Sequence, residues 1–592
     1  MTSTTVTDEQ LAKLDPEQLP VPKHRLRGNG YFAGLYATEH VAATEFVFGA
    51  TFVAMGAGIW DILIGLIIGN TLAVLSFWLI TTPIARQARL SLYTYLQKVA
   101  GDSFSRIYNL ANAVIFSVIA AAMITVSATA VRRIFSIPPQ TEAYPTHVGF
   151  IVIAVAFSCL AVVVAVFGFE ALAKIAGIVG PWLMALFLAG GMVLLPVVTE
   201  SITGSTQLTG FNDFIGVAGS SVFTGINSEG EPGIGLIEVA GFAWAANTFA
   251  HFGLIDMALL RYAKKGTAGL ATSTGMMFGH YVAWIAAGFM GAATAAITQT
   301  SIAVLEPGDV AWVALGVTGF VIVIIAGWTT ANANLYRAGL AAQAVFPNHS
   351  RTKVTLLAGI AVVIAACFPV VYRNMLPLLT YAGLILVPIG GIIFAEHHLF
   401  KRIGYSRFWM KFSGVRHNIP ALITWPVSLA IGVGLNALQI MPYYYLFVPT
   451  WLISIGLYTF IAGRMGAKQA YPNGEADEAE YQRRVASFQE KQAEKESSPV
   501  PDRSALSRVI MAVWIASLLV IVALAYQVLF HSPDLYVYYV NLDRFYLWTA
   551  ICTGVYFVFT YWGLRRREAL AKRATAERPG APVDTTARRT GG

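Results

Sequence analysis

Fourteen apolar runs, most of them near the ~20 residues that an α-helix needs to cross the hydrocarbon of a bilayer, constrain this 592-residue chain more than any other feature. They lie at 41–60, 62–84, 107–131, 148–169, 172–197, 236–260, 267–297, 311–335, 354–372, 375–395, 419–440, 443–463, 509–531 and 543–564, and are called spans 1 to 14 below. Only 12% of the residues are charged, about half the share of a soluble protein. The expected class is an all-α polytopic membrane protein, because a backbone in lipid must satisfy its own hydrogen bonds and a helix does so locally.

Charge tests the map. An even number of spans places both termini on one side. That side receives 36 of the 40 Lys and Arg residues, and the other side only Arg132, Arg133, Arg373 and Arg544. Basic residues concentrate in cytoplasmic loops, so both termini are expected in the cytoplasm of a cell-membrane protein. The net charge of +8 is accounted for by this bias, and no nucleic-acid partner is expected. The loop 198–235 has no Lys or Arg and carries Glu200, Asp213, Glu229 and Glu231; it reads as a solvated outer loop or a vestibule attracting cations.

The chain divides into an N-terminal segment 1–40, a ten-span core 41–395, spans 11 and 12 within 396–463, a connector 464–508, spans 13 and 14 within 509–564 and a disordered basic tail 565–592. The N-terminal segment carries Asp8, Glu9 and Asp15 and has no apolar core before about residue 41, unlike a cleaved leader. The connector contains a short charged helix, with Glu480 placed for Arg484 one turn on, and is expected to be solvated. Cys159, Cys367 and Cys552 lie in apolar runs without metal-ligand spacing. No P-loop, HExxH, GxSxG or Cys–His cluster occurs. No enzyme, catalytic residue or organic cofactor is expected.

Transport leaves a different trace. Many carriers repeat a five-helix unit in inverted orientation and bind substrate where two helices at corresponding positions are interrupted. Spans 1 and 6 are five apart. Span 1 contains FGATFVAMGAGIWD, and span 6 contains VAGFAWAANTFAHFGLIDMALLRYAKK. Both are apolar runs broken by glycines and small polar residues, a pattern that also serves close helix packing. In span 6, Trp244 offers an aromatic face and Asn247, three residues on, falls on the same side of a continuous helix, which suits a flat hydrogen-bonding heterocycle. His251 and Asp256 are ionisable groups within a span and hence candidates for moving a proton; Asp256 has Arg261 or Lys264 as an alternative partner. His280 in span 7 reads as a satisfied buried histidine.

Span 8 ends in AGWTTANANLYRAGL, residues 326–340. The carbonyl of Ala326 and the hydroxyls of Thr329 and Thr330 form a set of hard oxygens that suits a small alkali cation. The alternative is that both hydroxyls bond back to carbonyls of their own helix. Asn332 and Asn334 are candidates for the substrate, although two residues along a helix turn through about 200°, which sets them on different faces. Arg337 reads as a positive-inside anchor.

WTTANANLYRAGLAAQAVFP (328–347) resembles the eighth helix of the bacterial cytosine permeases, of the nucleobase–cation symporter-1 family within the amino acid–polyamine–organocation superfamily. RYAKK (261–265), LLTYAGLILVPIGGIIFAEHHL (378–399) and GLIIGN (65–70) resemble segments of its sixth, tenth and second helices. The resemblance covers residues 41–463 in patches. It implies a five-plus-five inverted-repeat core, here with two helices beyond the usual twelve, and symport of a nucleobase or related heterocycle with sodium or a proton. By matching position it places sodium against Ala326, Thr329 and Thr330 and against carbonyls of a break in span 1 near Gly49 and Phe52. It places substrate near Trp244 and Asn332 or Asn334; Asn247 and Phe52 are further substrate candidates. The family often stacks the base on an aromatic of helix 3, where this chain has Phe116. Two alternatives stay open: an amino acid or amine permease of the same fold, proton-coupled through His251 or Asp256, and a membrane receptor that signals through the connector. Small-molecule substrate and lipid are the expected partners; oligomeric state is not legible.

Overall fold

The computed structural model describes residues 6–166, 169–493, 502 and 504–576. Among them the chain is almost entirely helical, with no strand beyond three isolated bridges. All fourteen spans are present. Ten of the helices are each long and apolar enough to cross a membrane. Of the rest, span 9 is built on the 16-residue helix Arg351–Ala366 and span 12 on the more polar Phe447–Met465. Spans 1 and 6 fall short because each is interrupted, leaving the short apolar halves Glu45–Ala54 and Leu236–Ala245.

Span 1 consists of Asn29–His40 and Glu45–Ala54, with the interruption at Val41–Thr44. Its break is therefore about two turns earlier than the expected position near Gly49 and Phe52, and the span starts at residue 29 rather than 41. The polar group Tyr36, Glu39 and His40 made the first half look like a soluble segment. Span 6 consists of Leu236–Ala245, the single turn Thr248–His251 and the turn Met257–Leu260. Within its interruption Leu254 has φ +62°, a left-handed conformation that costs a non-glycine residue about 1–2 kcal/mol.

The inverted repeat shows in how the two breaks are held. Spans 2 and 7 occupy equivalent places in the two repeats, and each carries a π-helical stretch, Phe77–Thr81 and Met276–Ala283. Such wide turns free backbone groups and reposition side chains. The first faces the break of span 6: Thr81 donates its hydroxyl to the His251 carbonyl at 2.7 Å, and the Phe77 ring lies 5.2 Å from the His251 ring. The second faces the break of span 1: the His280 ring lies 5.0 Å from that of His40, and Gly279 sits directly against the His40 carbonyl. Spans 3 and 8 are likewise equivalents. Leu92–Ile134 and Val317–Val345 pack along their lengths, with Ser127 donating to the carbonyls of Val323 and Ile324 at 3.3 and 3.2 Å.

Three further boundaries differ from expectation. Residues 307–315 form a separate short helix before span 8, and span 8 itself continues to Val345. Arg337 is thus well inside a helix rather than at its end. Span 14 runs on as helix to Ala576, so the first part of the tail expected to be disordered is helical; residues 577–592 lie outside the described residues. The connector helix Pro472–Ala493 is docked rather than solvated. Val485 packs with Leu11 and Leu19 of the N-terminal segment, and Glu478 bridges Lys98 and Lys411 at 2.7 Å each. Spans 13 and 14 lie on span 5, where the Trp182 indole donates to Thr553 at 3.0 Å and Tyr556 donates to the Ile178 carbonyl at 2.5 Å.

Candidate functional site

The two interruptions, span 7 and the middle of spans 3 and 8 bring together the polar groups of the core. His40 ends the first half of span 1, with Nδ1 3.1 Å from the Tyr36 carbonyl. Glu45 opens the second half and accepts the indole N–H of Trp284 from span 7. Trp284 stacks on His280 at 4.4 Å between ring centroids and is flanked by Phe48 and Phe52, each at 5.4 Å. Asn247, at the start of the span 6 turn, has its amide nitrogen 3.3 Å from His280 Nε2. His251 Nε2 lies 3.2 Å from the Trp244 carbonyl. Nδ1 of both His251 and His280 is buried with no protein partner among the described residues.

Trp244 and Asn247 do not share a face. The helix stops between them, so the wheel argument does not carry across. Trp244 donates to Ser76 of span 2 at 3.1 Å and packs on Phe447 of span 12 at 4.9 Å, while Asn247 turns to span 7. Gly49 lies inside the second half of span 1, where a Cβ would stand 2.5 Å from the Trp284 carbonyl oxygen. Its role there is close approach to span 7. The carbonyl of Phe52 is taken by the Ala57 amide at 3.0 Å. Neither residue is at the break.

In span 8 the hydroxyl of Thr330 donates to the Ala326 carbonyl at 2.9 Å, and that of Thr329 to Ile325 and Ala326 at 2.9 and 3.1 Å. Asn332 and Asn334 donate to the carbonyls of Trp328 and Thr330, each at 2.9 Å. Back-bonding of this kind uses the hydroxyl protons and one N–H of each amide, and leaves the acceptor lone pairs of the hydroxyl oxygens open. Asn332 Oδ1 and the indole N–H of Trp328 are both buried without a protein partner among the described residues. Phe116 of span 3 meets Phe249 in the span 6 interruption at 5.8 Å and lies under the Arg337 guanidinium at 6.0 Å.

Arg337 and Asp256 are the largest departure from the sequence reading. Arg337 is buried and its Nη2 bonds Asp256 Oδ1 at 2.6 Å and Glu39 Oε1. Tyr36 donates to the other oxygen of Asp256 at 2.8 Å. Asp256 therefore pairs with neither Arg261 nor Lys264, and Arg337 is no surface anchor. A second layer lies nearer the basic face. Arg261 pairs with Glu17 of the N-terminal segment, and Tyr336 reaches the same carboxylate at 3.3 Å. Both layers tie spans 1 and 6 or the N-terminal segment to span 8. Glu39, Tyr36 and His40 were missed because YATEH was placed before the first span; a glutamate followed by a histidine at the edge of an apolar run was the available signal.

Among the described residues no group of three His, Cys, Asp or Glu side chains is arranged to hold a metal ion.

No protein-family model and no curated protein sequence matches this chain. Solved structures do match in fold. Mhp1, a nucleobase-cation-symport-1 family transporter, in a closed conformation with bromovinylhydantoin bound, superposes with a TM-score of 0.59 at 18% identity, covering 80% of this chain and 99% of that one. The inward-facing conformation of Mhp1 gives 0.59 at 15% identity, covering 79% and 97%. A substrate-bound, outward-open Na+-coupled sialic acid symporter gives 0.50 at 14% identity, covering 76% and 92%. The chain is thus a multi-pass membrane protein with the inverted-repeat fold of these transporters.

Proposed function

We propose that the protein is a secondary active transporter that moves a small polar heterocycle, a nucleobase or a close relative, together with a cation by alternating access. It does so from a cell membrane in which the basic face is cytoplasmic. The observation that carries this reading is the pair of interrupted helices at equivalent positions, each seated on a π-helical turn of the other repeat's neighbour, with unpaired polar atoms between them. Freed backbone and unpaired side chains at membrane depth are stable only where protein, a ligand, an ion or water meets them. The transporters that share the fold are cation-coupled carriers of small molecules.

Trp328 Nε1 is a donor and Asn332 Oδ1 an acceptor, one helical turn apart on span 8. Together they complement the adjacent carbonyl and N–H of a cyclic amide, the edge a pyrimidine or purine base presents. Phe116 supplies flat apolar surface beside the span 6 interruption. For the cation, Ala326, Thr329 and Thr330 offer oxygen ligands to sodium, and the ionisable groups of spans 1 and 6 offer a seat for a proton. The test is counterflow of radiolabelled cytosine, uracil, adenine and hypoxanthine in proteoliposomes. Exchange of one of them by the protein, absent in empty vesicles, supports the reading. Saturable binding without exchange favours a receptor, and exchange of amino acids or amines alone favours the other permease class.

A further inference from the structure

We propose that Glu39 binds the coupling proton, and that its protonation holds the basic-face side of the carrier closed. This rests on the symport reading above and names its cation.

The argument begins with charge. Glu39, Asp256 and Arg337 meet in one cluster away from water, their side chains 13%, 1% and 1% exposed. With all three ionised the cluster carries one excess negative charge. A charge withdrawn from water needs a counter-charge and hydrogen bonds, and without them it takes up or loses a proton. Hydrogen bonding identifies which carboxyl does so. Both oxygens of Asp256 are occupied, Oδ1 by Arg337 and Oδ2 by the Tyr36 hydroxyl. Asp256 is thus bonded at both oxygens and forms a neutral pair with Arg337. Glu39 shares the same guanidinium nitrogen through Oε1, while its Oε2 is buried with no partner among the described residues. The arginine's own Nε and Nη1 are also unpartnered, so the guanidinium is not fully engaged by its two carboxylates. A proton on Glu39 Oε2 makes the cluster neutral and supplies the one oxygen that lacks a partner with an O–H.

The surroundings support the same site. On its own span Glu39 is flanked by Tyr36 and His40. Span 6 contributes Asp256 and, one layer out, Arg261. Span 8 contributes Arg337 and Tyr336, span 3 the Tyr93 phenol beside Arg337 and Asp256, and span 7 His280 against His40. Arg337 is the sole cation in the inner layer of this set. Position gives the consequence. The cluster joins spans 1 and 6 to span 8, so the two broken helices cannot move away from span 8 towards the basic face while it holds. Neutral, it can remain dry. When Oε2 gives its proton to water on the basic face, the cluster regains its excess charge, and hydrating that charge favours separation. The only bond formed and broken is the O–H of Glu39.

The test uses the full-length protein in lipid nanodiscs. Infrared difference spectra are recorded as pH is raised, reading the carbonyl stretch of protonated carboxylic acids. Wild type is expected to show a titrating component that is lost in Glu39→Gln, shifted in Glu39→Asp and kept in Asp256→Glu, which conserves the charge of the cluster; components from Glu45 and Glu396 survive in all three. Persistence of every titrating component in Glu39→Gln, or a component that shifts in Asp256→Glu and not in Glu39→Asp, overturns the proposal. Glu39→Asp keeps the comparison valid if the glutamine variant misfolds. In sodium-free proteoliposomes an acid-outside gradient should drive wild type to accumulate radiolabelled cytosine, whereas Glu39→Gln exchanges it in counterflow without accumulating it. Equal accumulation by the variant overturns the proposal. If wild type moves no cytosine, the substrate reading fails and the infrared result still decides the site.

Discussion

Gly279 faces the carbonyl of His40 so closely that a Cβ on it would overlap that oxygen. The contact places the wide turn of span 7 on the interruption of span 1, and its counterpart joins Thr81 of span 2 to His251 in the interruption of span 6. Substituting Gly279 by Ala must push His40 and the break aside. The expected loss is about 1–3 kcal/mol, the usual cost of overfilling a packed site. Thermal unfolding in detergent checks it against Gly554→Ala, where nothing lies within 4 Å of the new Cβ and no loss is expected.

Arg337→Gln leaves the Asp256 carboxylate buried without its cation. Removing one partner from a buried ion pair costs about 3–5 kcal/mol. Adding Asp256→Asn removes the stranded charge as well, so the double variant is expected to be more stable than Arg337→Gln alone. Unfolding of the two variants side by side measures the recovery; a double variant less stable than the single one would show that the pair does not act as a unit.

Thr329 and Thr330 bond to their own helix. If the proton is the coupling ion, the double substitution Thr329→Val, Thr330→Val leaves acid-driven uptake in sodium-free buffer in place. Loss of uptake together with loss of a sodium response in wild type would restore the sodium reading.

The connector helix gives a pH prediction. Burial raises the pKa of Glu478, but the ammonium groups of Lys98 and Lys411 outweigh it and hold the carboxyl at about 2. An ordinary glutamate titrates near 4.3. Because the docked value is the lower one, docking gains from Glu478 above the ordinary value and loses that gain as pH falls towards 2. Spin labels at residues 102 and 483 should report separation of the connector from the start of span 3 through this window. In Glu478→Gln the separation should no longer follow pH there.

The fourteen spans were legible because apolar length and basic loops are properties of composition that survive any packing. The position of the first break was not. Tyr36, Glu39 and His40 are polar in sequence yet buried by spans 6, 7 and 8, contacts made by residues hundreds of positions away. The same holds for Arg337, whose place near the end of an apolar run is that of an ordinary cytoplasmic arginine. Only the continuation of the helix to Val345 and the approach of Asp256 bring it inside. Trp244 and Asn247 failed for the opposite reason: a helical wheel was drawn through residues where no helix continues. The pairing of spans 1 and 6 as the interrupted helices was readable from two polar-broken runs five apart, although the glycines that suggested it in span 1 lie outside its break at residues 41–44.

The central claim is coupled transport, and gradient-driven accumulation tests it most directly. Proteoliposomes carrying the protein are given an inward cation gradient, and a radiolabelled nucleobase is followed over time. The account predicts accumulation above the outside concentration, abolished when an ionophore dissipates the gradient. A protein that binds a nucleobase, an amino acid or an amine yet accumulates none of them under either a sodium or a proton gradient would contradict it.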